Sequence, residues 1–313
     1  MRVAVIGAGL IGQAWAMVFA SGGKAVRLWD GDASALANAI SLIRGQLEEL
    51  QEQGLVDDAD AAAERIVACA SLEDALDGVA YVQENLPERV ELKREIFATM
   101  DGLCAPDTVL ASSTSSIPAS SFTESLTQRE RCLVAHPVNP PYLIPVVELC
   151  AAPWTSSEAI ATARQLMLDV GQQPVTVHKE LQGFVLNRLQ GALLREAFRL
   201  VEMGAISVED LDVTVKAGLG LRWAFMGPFE TIDLNAPGGV DDYCQRYGEM
   251  YRSISEEQTD TSAWKPEVIA EITRQRRGLL PPEDLKQRRL WRDAKLMELA
   301  RERREQSRSK TPA

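Results

Sequence analysis

Arg2-Val-Ala-Val-Ile6-Gly7-Ala-Gly9-Leu10-Ile11-Gly12 opens the chain, and after one helical run comes Ala25-Val-Arg-Leu-Trp29-Asp30. Arg2–Ile6 is short and rich in β-branched residues, which predicts a strand. Three glycines follow it without a break. From Ile11 to Ser21 the residues Trp15, Val18 and Phe19 share one side of a helical pattern, and Gly22-Gly23 stops it. Ala25–Trp29 predicts a second strand ending at Asp30. The order is therefore strand, glycine loop, helix, strand, acid: a βαβ unit with the acid 23 residues after Gly7. In such a unit Gly7 permits the tight turn, Gly9 lets backbone approach a pyrophosphate, and Gly12 lets helix and strand pack. The helix N-terminus, with its free N–H groups and positive dipole end, attracts the phosphates. Asp30 would accept hydrogen bonds from a ribose hydroxyl pair and repel a 2′-phosphate, which favours NAD over NADP. The same reading disposes of a secretory signal over residues 1–20, because three glycines and Gln13 interrupt its apolar run.

Outward from this unit, strands and helices keep alternating. Strands are predicted at Ile66–Ala68, Tyr81–Gln83, Val109–Ser112, Cys132–Ala135, Val146–Leu149 and Pro174–Val177. Helices are predicted at Ala33–Gln53, Leu72–Leu76, Glu88–Met100, Ala119–Leu126 and Ser157–Val170, with an acidic connection over Gly54–Asp60. This alternation predicts an α/β class, a Rossmann-type, doubly wound and mainly parallel sheet. After Gly183 the strands cease. Phe184–Met203 is one long helical run, and Ser207-Val-Glu-Asp210 looks like a capped helix start. Gly218–Gly220, Pro228 and Asn235–Gly239 break the helical pattern beyond it. The expected division is thus 1–182 for the sheet domain and 183–313 for an all-α C-terminal domain. The polar, basic stretch Arg301–Ala313 is expected to fray.

The 313 residues are 46% hydrophobic and 25% charged, a globular composition. A formal charge of −12 argues against nucleic acid or an anionic membrane as a partner. The five cysteines form no C-x-x-C pair and the chain has only two histidines, so no metal site is expected and reduced thiols in the cytoplasm are.

Two segments carry candidate chemistry. His136 lies in Ala-His136-Pro-Val-Asn139-Pro-Pro after a predicted strand, and Glu148 follows the short run Val146–Val147. If the two meet, the carboxylate holds one ring N–H and fixes the tautomer; the plainer alternative is a structural histidine. Ser112-Ser-Thr-Ser115-Ser116 also follows a strand, either to bind substrate through its hydroxyls or as a solvated turn. His178 lacks such a setting and reads as structural or surface.

Taken together, Gly7-x-Gly9-x-x-Gly12, Glu88 with Lys93, Ser113-Thr-Ser115-Ser116, His136-x-x-Asn139-Pro, Glu148 and Gly183-Phe-Val-Leu-Asn187-Arg188 make the chain resemble the 3-hydroxyacyl-CoA dehydrogenase superfamily over essentially its whole length. The resemblance implies NAD as cofactor, held by Gly7, Gly9, Leu10, Ile11, Gly12 and Asp30, with Glu88 and Lys93 along its nicotinamide half. It implies His136 as catalytic base with Glu148 as partner. Ser115 and Asn187 would contact the reacting group, Asn139 would support the site, and the helical domain would pair two copies into a homodimer. Phe184–Met203 adds apolar residues beyond one stripe, as a second buried face would need.

The similarity is greatest to members acting on a free 3-hydroxy acid, through Leu10–Met17, Ala135–Tyr142, Gly218–Phe225 and Leu234-Asn-Ala236. L-gulonate is then the expected substrate, with L-carnitine and 3-hydroxybutyryl-CoA as alternatives and a non-catalytic NAD-binding protein as a reading of another class. Residues 31–64 resemble the family's CoA-contacting extension, yet they contain eight acids and one base, Arg44, a surface that opposes CoA phosphates. Arg222 stands alone in the apolar run Gly220–Phe225, where its planar fork suits a substrate carboxylate. Snorkelling to the surface or pairing with an acid is the competing reading.

Overall fold

The computed structural model describes residues 1–259, 261, 262 and 264–310, the last four of these by backbone only. Eight strands form one sheet: β1 Arg2–Ile6, β2 Ala25–Trp29, β3 Ile66–Ala68, β4 Tyr81–Glu84, β5 Val109–Ser112, β6 Cys132–Pro137, β7 Val146–Ala151 and β8 Gln173–Val177. Their order is β3-β2-β1-β4-β5-β6-β7-β8, parallel throughout except for the antiparallel pair β6–β7. The chain winds outward from β1 in both directions, so the switch point lies between β1 and β4, where such sheets bind ligands beyond their strand ends.

Alternate side chains of each strand enter opposite cores. Val3 and Val5 join Trp15, Phe19, Leu47 and Met167 on one face. Ala4 and Ile6 join Phe97, Met100 and Phe122 on the other. The first layer comes from α1 Leu10–Ser21, α2 Ala33–Glu52, α3 Ala59–Glu64 and α7 Ser157–Asp169, the second from α4 Leu72–Leu76, α5 Val90–Leu103 and α6 Ser120–Thr123. Strands covered on both faces are apolar on both faces, which is why β1 and β6 read as continuous hydrophobic runs.

The expected acidic connection Gly54–Asp60 is shorter than the sequence suggests. Asp58 caps a helix there, accepting the Ala61 N–H at 2.9 Å, and α3 begins at Ala59. The C-terminal stretch differs more. The last helix, α14, runs Leu285–Lys310. Met297 is buried against the sheet-side core, and Arg304 donates to Gly54 O at 2.9 Å and to Asp57 at 2.7 Å. The basic tail expected to fray is therefore helical as far as Lys310, anchored on the acidic connection; residues 311–313 lie outside the described residues.

Contacts group residues 1–188 with the described residues from Leu290 onward, and set apart a helical unit Leu189–Arg289. The helix α8, Leu186–Glu202, begins in the first unit. In the second unit, α9 Val208–Val213 starts on its Ser207 cap and meets α13 Pro266–Leu279 through Val208 N–H to Gln275 and Arg276 to Asp212. The expected break at Gly218–Gly220 is absent. A π-helical stretch Thr214–Leu219 passes directly into α10 Gly220–Trp223, and α11 Pro228–Asp233 and α12 Gly239–Glu257 come next.

Candidate active site

The glycine loop folds as its sequence requires. Gly7 has φ 95°, and a Cβ on Gly12 would lie 1.8 Å from the Gly7 carbonyl oxygen. Gly9 is the N-cap of α1, and no side chain caps the helix. A Cβ on Gly9 would meet no protein atom within 4 Å, so the space before the helix N-terminus is open. Asp30, at the end of β2, accepts the Ala8 N–H at 2.7 Å and the Asp32 N–H at 2.9 Å. An uncapped helix start with open space before it and a carboxylate tied to the loop suits a dinucleotide: phosphates at the N–H groups, a ribose at the acid. Leu10 and Ile11 supply the first-turn backbone.

His136 and Glu148 do not sit beyond strand ends. They lie inside β6 and β7 and face each other directly in the antiparallel register. His136 Nδ1 is 2.8 Å from Glu148 Oε2, with both residues buried. The other carboxylate oxygen accepts the N–H groups of Val185 and Leu186 at 2.8 and 2.9 Å, where α8 starts. Burial pushes the Glu148 carboxyl up, but the hydrogen bonds from His136, Leu186 and Val185 outweigh it and hold it below the ordinary range. Phe184 is fully buried, with its ring 5.5 Å from the imidazole and its backbone in the left-handed region at φ 50°. His178 is exposed.

The serine loop connects to this pair. Asn187, one residue after Leu186, donates from Nδ2 to the Ser115 carbonyl at 2.8 Å. Ser115 and Asn187 are thus brought together, but through a backbone oxygen. Glu88 Oε1 accepts the Thr114 hydroxyl at 2.6 Å, the Ser115 and Ser116 N–H groups at 3.0 Å each, and the Ser116 hydroxyl at 3.2 Å. Burial raises the Glu88 carboxyl; bonds from Thr114 and Ser116 and the Lys93 charge more than reverse this.

Lys93 is 1% exposed and its ammonium bonds both oxygens of Glu84, at 2.9 and 3.0 Å, because a carboxylate buried there demands a counter-charge. Asn139 is exposed beside a cis peptide to Pro140. Arg222 is an exposed residue of the helical unit; no described carboxylate pairs with it, and its charge bears on the Tyr243 phenol.

Sequence reasoning missed Glu84, Gln83 and Phe184. Gln83 and Ser113 share a hydrogen bond of 2.7 Å, and Trp15 and Asn85 also meet the Ser113 hydroxyl. The available signal was Gln83-Glu84-Asn85, three polar residues in a row where a buried strand ends. Among the described residues no group of three His, Cys, Asp or Glu could hold a metal. All five cysteines are free.

Comparison with known proteins matches this architecture. The profile of the 3-hydroxyacyl-CoA dehydrogenase NAD binding domain covers residues 2–181, and that of the C-terminal domain covers 183–271. Lambda-crystallin of Oryctolagus cuniculus is 41% identical over 304 residues, 96% of this chain and 95% of that protein. L-carnitine dehydrogenase of Streptomyces coelicolor is 37% identical over 253 residues, 80% of this chain and 79% of that protein. Among solved structures, the NAD+-dependent dismutase 5-formyl-3-hydroxy-2-methylpyridine 4-carboxylic acid 5-dehydrogenase superposes with a TM-score of 0.84 at 31% identity, covering 96% of this chain and 97% of that one. A matched glycine loop, a His–Glu pair in register and profiles spanning most of the sequence lead to one assignment: the chain belongs to the NAD-dependent 3-hydroxyacyl-CoA dehydrogenase family.

Proposed function

We propose that the chain oxidises a small free 3-hydroxy acid, L-gulonate, to the 3-keto acid with NAD as acceptor. The observation that carries this reading is the buried His136–Glu148 pair. With Nδ1–H committed to Glu148, the neutral imidazole leaves Nε2 as a bare acceptor for the substrate hydroxyl proton. Glu148 then stabilises the imidazolium that forms. Bound NAD supplies the hydride acceptor. Ser115 and Asn187 orient the reacting oxygen, Asn139 supports the site, and Glu88 holds the loop that carries Ser115. Asp30 confers preference for NAD over NADP. Arg222 is exposed and pairs with no described carboxylate, and its planar fork suits the carboxylate of a free acid.

The choice of a free acid over a CoA thioester is supported by the acidic surface of residues 31–64 and by α14, which packs on it through Arg304. L-gulonate is the substrate that the sequence resemblance implies. L-carnitine is the second reading, favoured by the similarity to L-carnitine dehydrogenase. A homodimer and a reducing, cytoplasmic setting complete the proposal, the latter supported by four buried free thiols.

The test is oxidation of L-gulonate by the wild-type protein and His136→Gln, followed as NADH. The wild type turns over; the variant is slower by about 100-fold or more and still binds NAD. A wild type inert toward L-gulonate refutes the substrate. A variant of near wild-type turnover refutes the base.

A further inference from the structure

We infer that Glu84 and Lys93 are a buried positioning pair that sets the Ser112–Ser116 loop, and through it Ser115; the inference rests on the reading of Ser115 as a substrate contact. Glu84 ends β4 and is fully buried, and it faces Ser112, at the end of β5, in register. Its Oε1 takes the Leu86 N–H at 2.6 Å and the Lys93 ammonium at 3.0 Å. Its Oε2 takes the Lys93 ammonium at 2.9 Å and the Ser112 hydroxyl at 2.5 Å. Both oxygens are therefore occupied, and the pair is closed to solvent.

The consequence falls on Ser112. Its hydroxyl gives its one hydrogen to Glu84, so it must act as acceptor toward everything else. It accepts the Thr114 N–H at 3.2 Å and lies 3.3 Å from the Lys93 ammonium. Thr114 passes the order on. Its hydroxyl donates to Glu88 and accepts the Ile117 N–H at 2.9 Å. Glu88 then collects the Ser115 and Ser116 N–H groups. Ser113 N–H meets the Glu84 carbonyl at 2.8 Å. Every amide from Ser113 to Ile117 thus has an acceptor, and four of these five hydrogen bonds end on side-chain oxygens.

Lys93 stands behind both carboxylates that organise this loop, touching Glu84 and acting on Glu88 through its charge. A charge pair this deep is a poor device for stability alone, since apolar groups of the same volume fill a core as well. What apolar groups cannot do is fix the direction of the Ser112 hydroxyl. Without Lys93, nothing ties both Glu84 oxygens in the orientation in which Oε1 meets the Leu86 N–H and Oε2 the Ser112 hydroxyl.

The experiment uses the full-length protein and four variants: Lys93→Met, Glu84→Gln, the double variant, and Ser112→Ala. Three readouts are taken: amide hydrogen exchange over residues 113–117, NAD affinity by fluorescence titration, and kcat and KM for L-gulonate. Exchange over the loop is expected to rise by about tenfold in each variant. The value of kcat/KM for the acid falls by about tenfold, while in Ser112→Ala NAD affinity stays within about twofold. The double variant is no worse than Lys93→Met, because the two residues act as one unit. The inference is overturned if Lys93→Met weakens NAD about tenfold with loop exchange unchanged, since Lys93 would then be a cofactor contact. It is also overturned if Ser112→Ala, the mildest change and the one that decides should a charge variant not fold, leaves both exchange and kinetics at wild-type values. Should the wild type leave L-gulonate untouched, the functional reading falls alone, and the exchange data still decide the pairing.

Discussion

At Glu148 two demands meet on one carboxylate: a ring N–H on one oxygen and two backbone N–H groups on the other. An amide satisfies both only by donating to Nδ1, which moves the ring hydrogen to Nε2 and removes the free acceptor there. Glu148→Gln is therefore expected to lower turnover about tenfold or more with the fold retained, as measured by NADH formation and denaturant titration. The sign with pH comes from the lowered carboxyl. A group whose folded pKa is depressed contributes stability that is full above its unfolded value and lost as pH falls through the folded one. Stability of the wild type should fall in that acid window, and Glu148→Gln should flatten the fall. An unchanged acid arm contradicts this. The residue scale was partly legible in sequence. Asp30 could be named from its spacing after the glycine loop, and His136 and Glu148 from the short apolar runs before them. The Glu84–Lys93 pair could not, because the burial that joins them is a tertiary fact.

The elements were legible wherever hydrophobic period and capping agree. Eight strands stand at their expected places, since buried strands carry continuous apolar runs. The antiparallel turn of β6 onto β7 was not foreseen, and it is what places His136 opposite Glu148. Nor was α14, whose attachment depends on Arg304 reaching a carbonyl and an acid far away in sequence. The loop-to-helix junction makes the sharpest claim at this scale. Gly12→Ala would set a methyl 1.8 Å from the Gly7 carbonyl oxygen, so loop and α1 must part. The expected result is a loss of about 1–3 kcal/mol in thermal or denaturant unfolding and NAD affinity weakened about tenfold or more. Wild-type values for both would remove the close packing from the account.

For the whole molecule, the helical unit presents more apolar surface than a solitary unit keeps. Neither α8 nor α12 has a buried residue. Leu221, Phe225, Phe229 and Leu234 are each more than 60% exposed, at 63%, 73%, 77% and 67%. A second copy of the chain is the proposed cover, so light scattering in dilute solution should give twice the chain mass, and a monomer would refute the pairing. No described helix is long and apolar enough to cross a membrane. Activity is the final question at this scale. The most direct measurement is NADH formation by the purified protein on L-gulonate, L-carnitine and 3-hydroxybutyryl-CoA, compared as kcat/KM under one set of conditions. L-gulonate is predicted to exceed the thioester by about tenfold or more, the worth of one charge-assisted contact to a free carboxylate. Turnover of the thioester with none of the free acids would contradict the account.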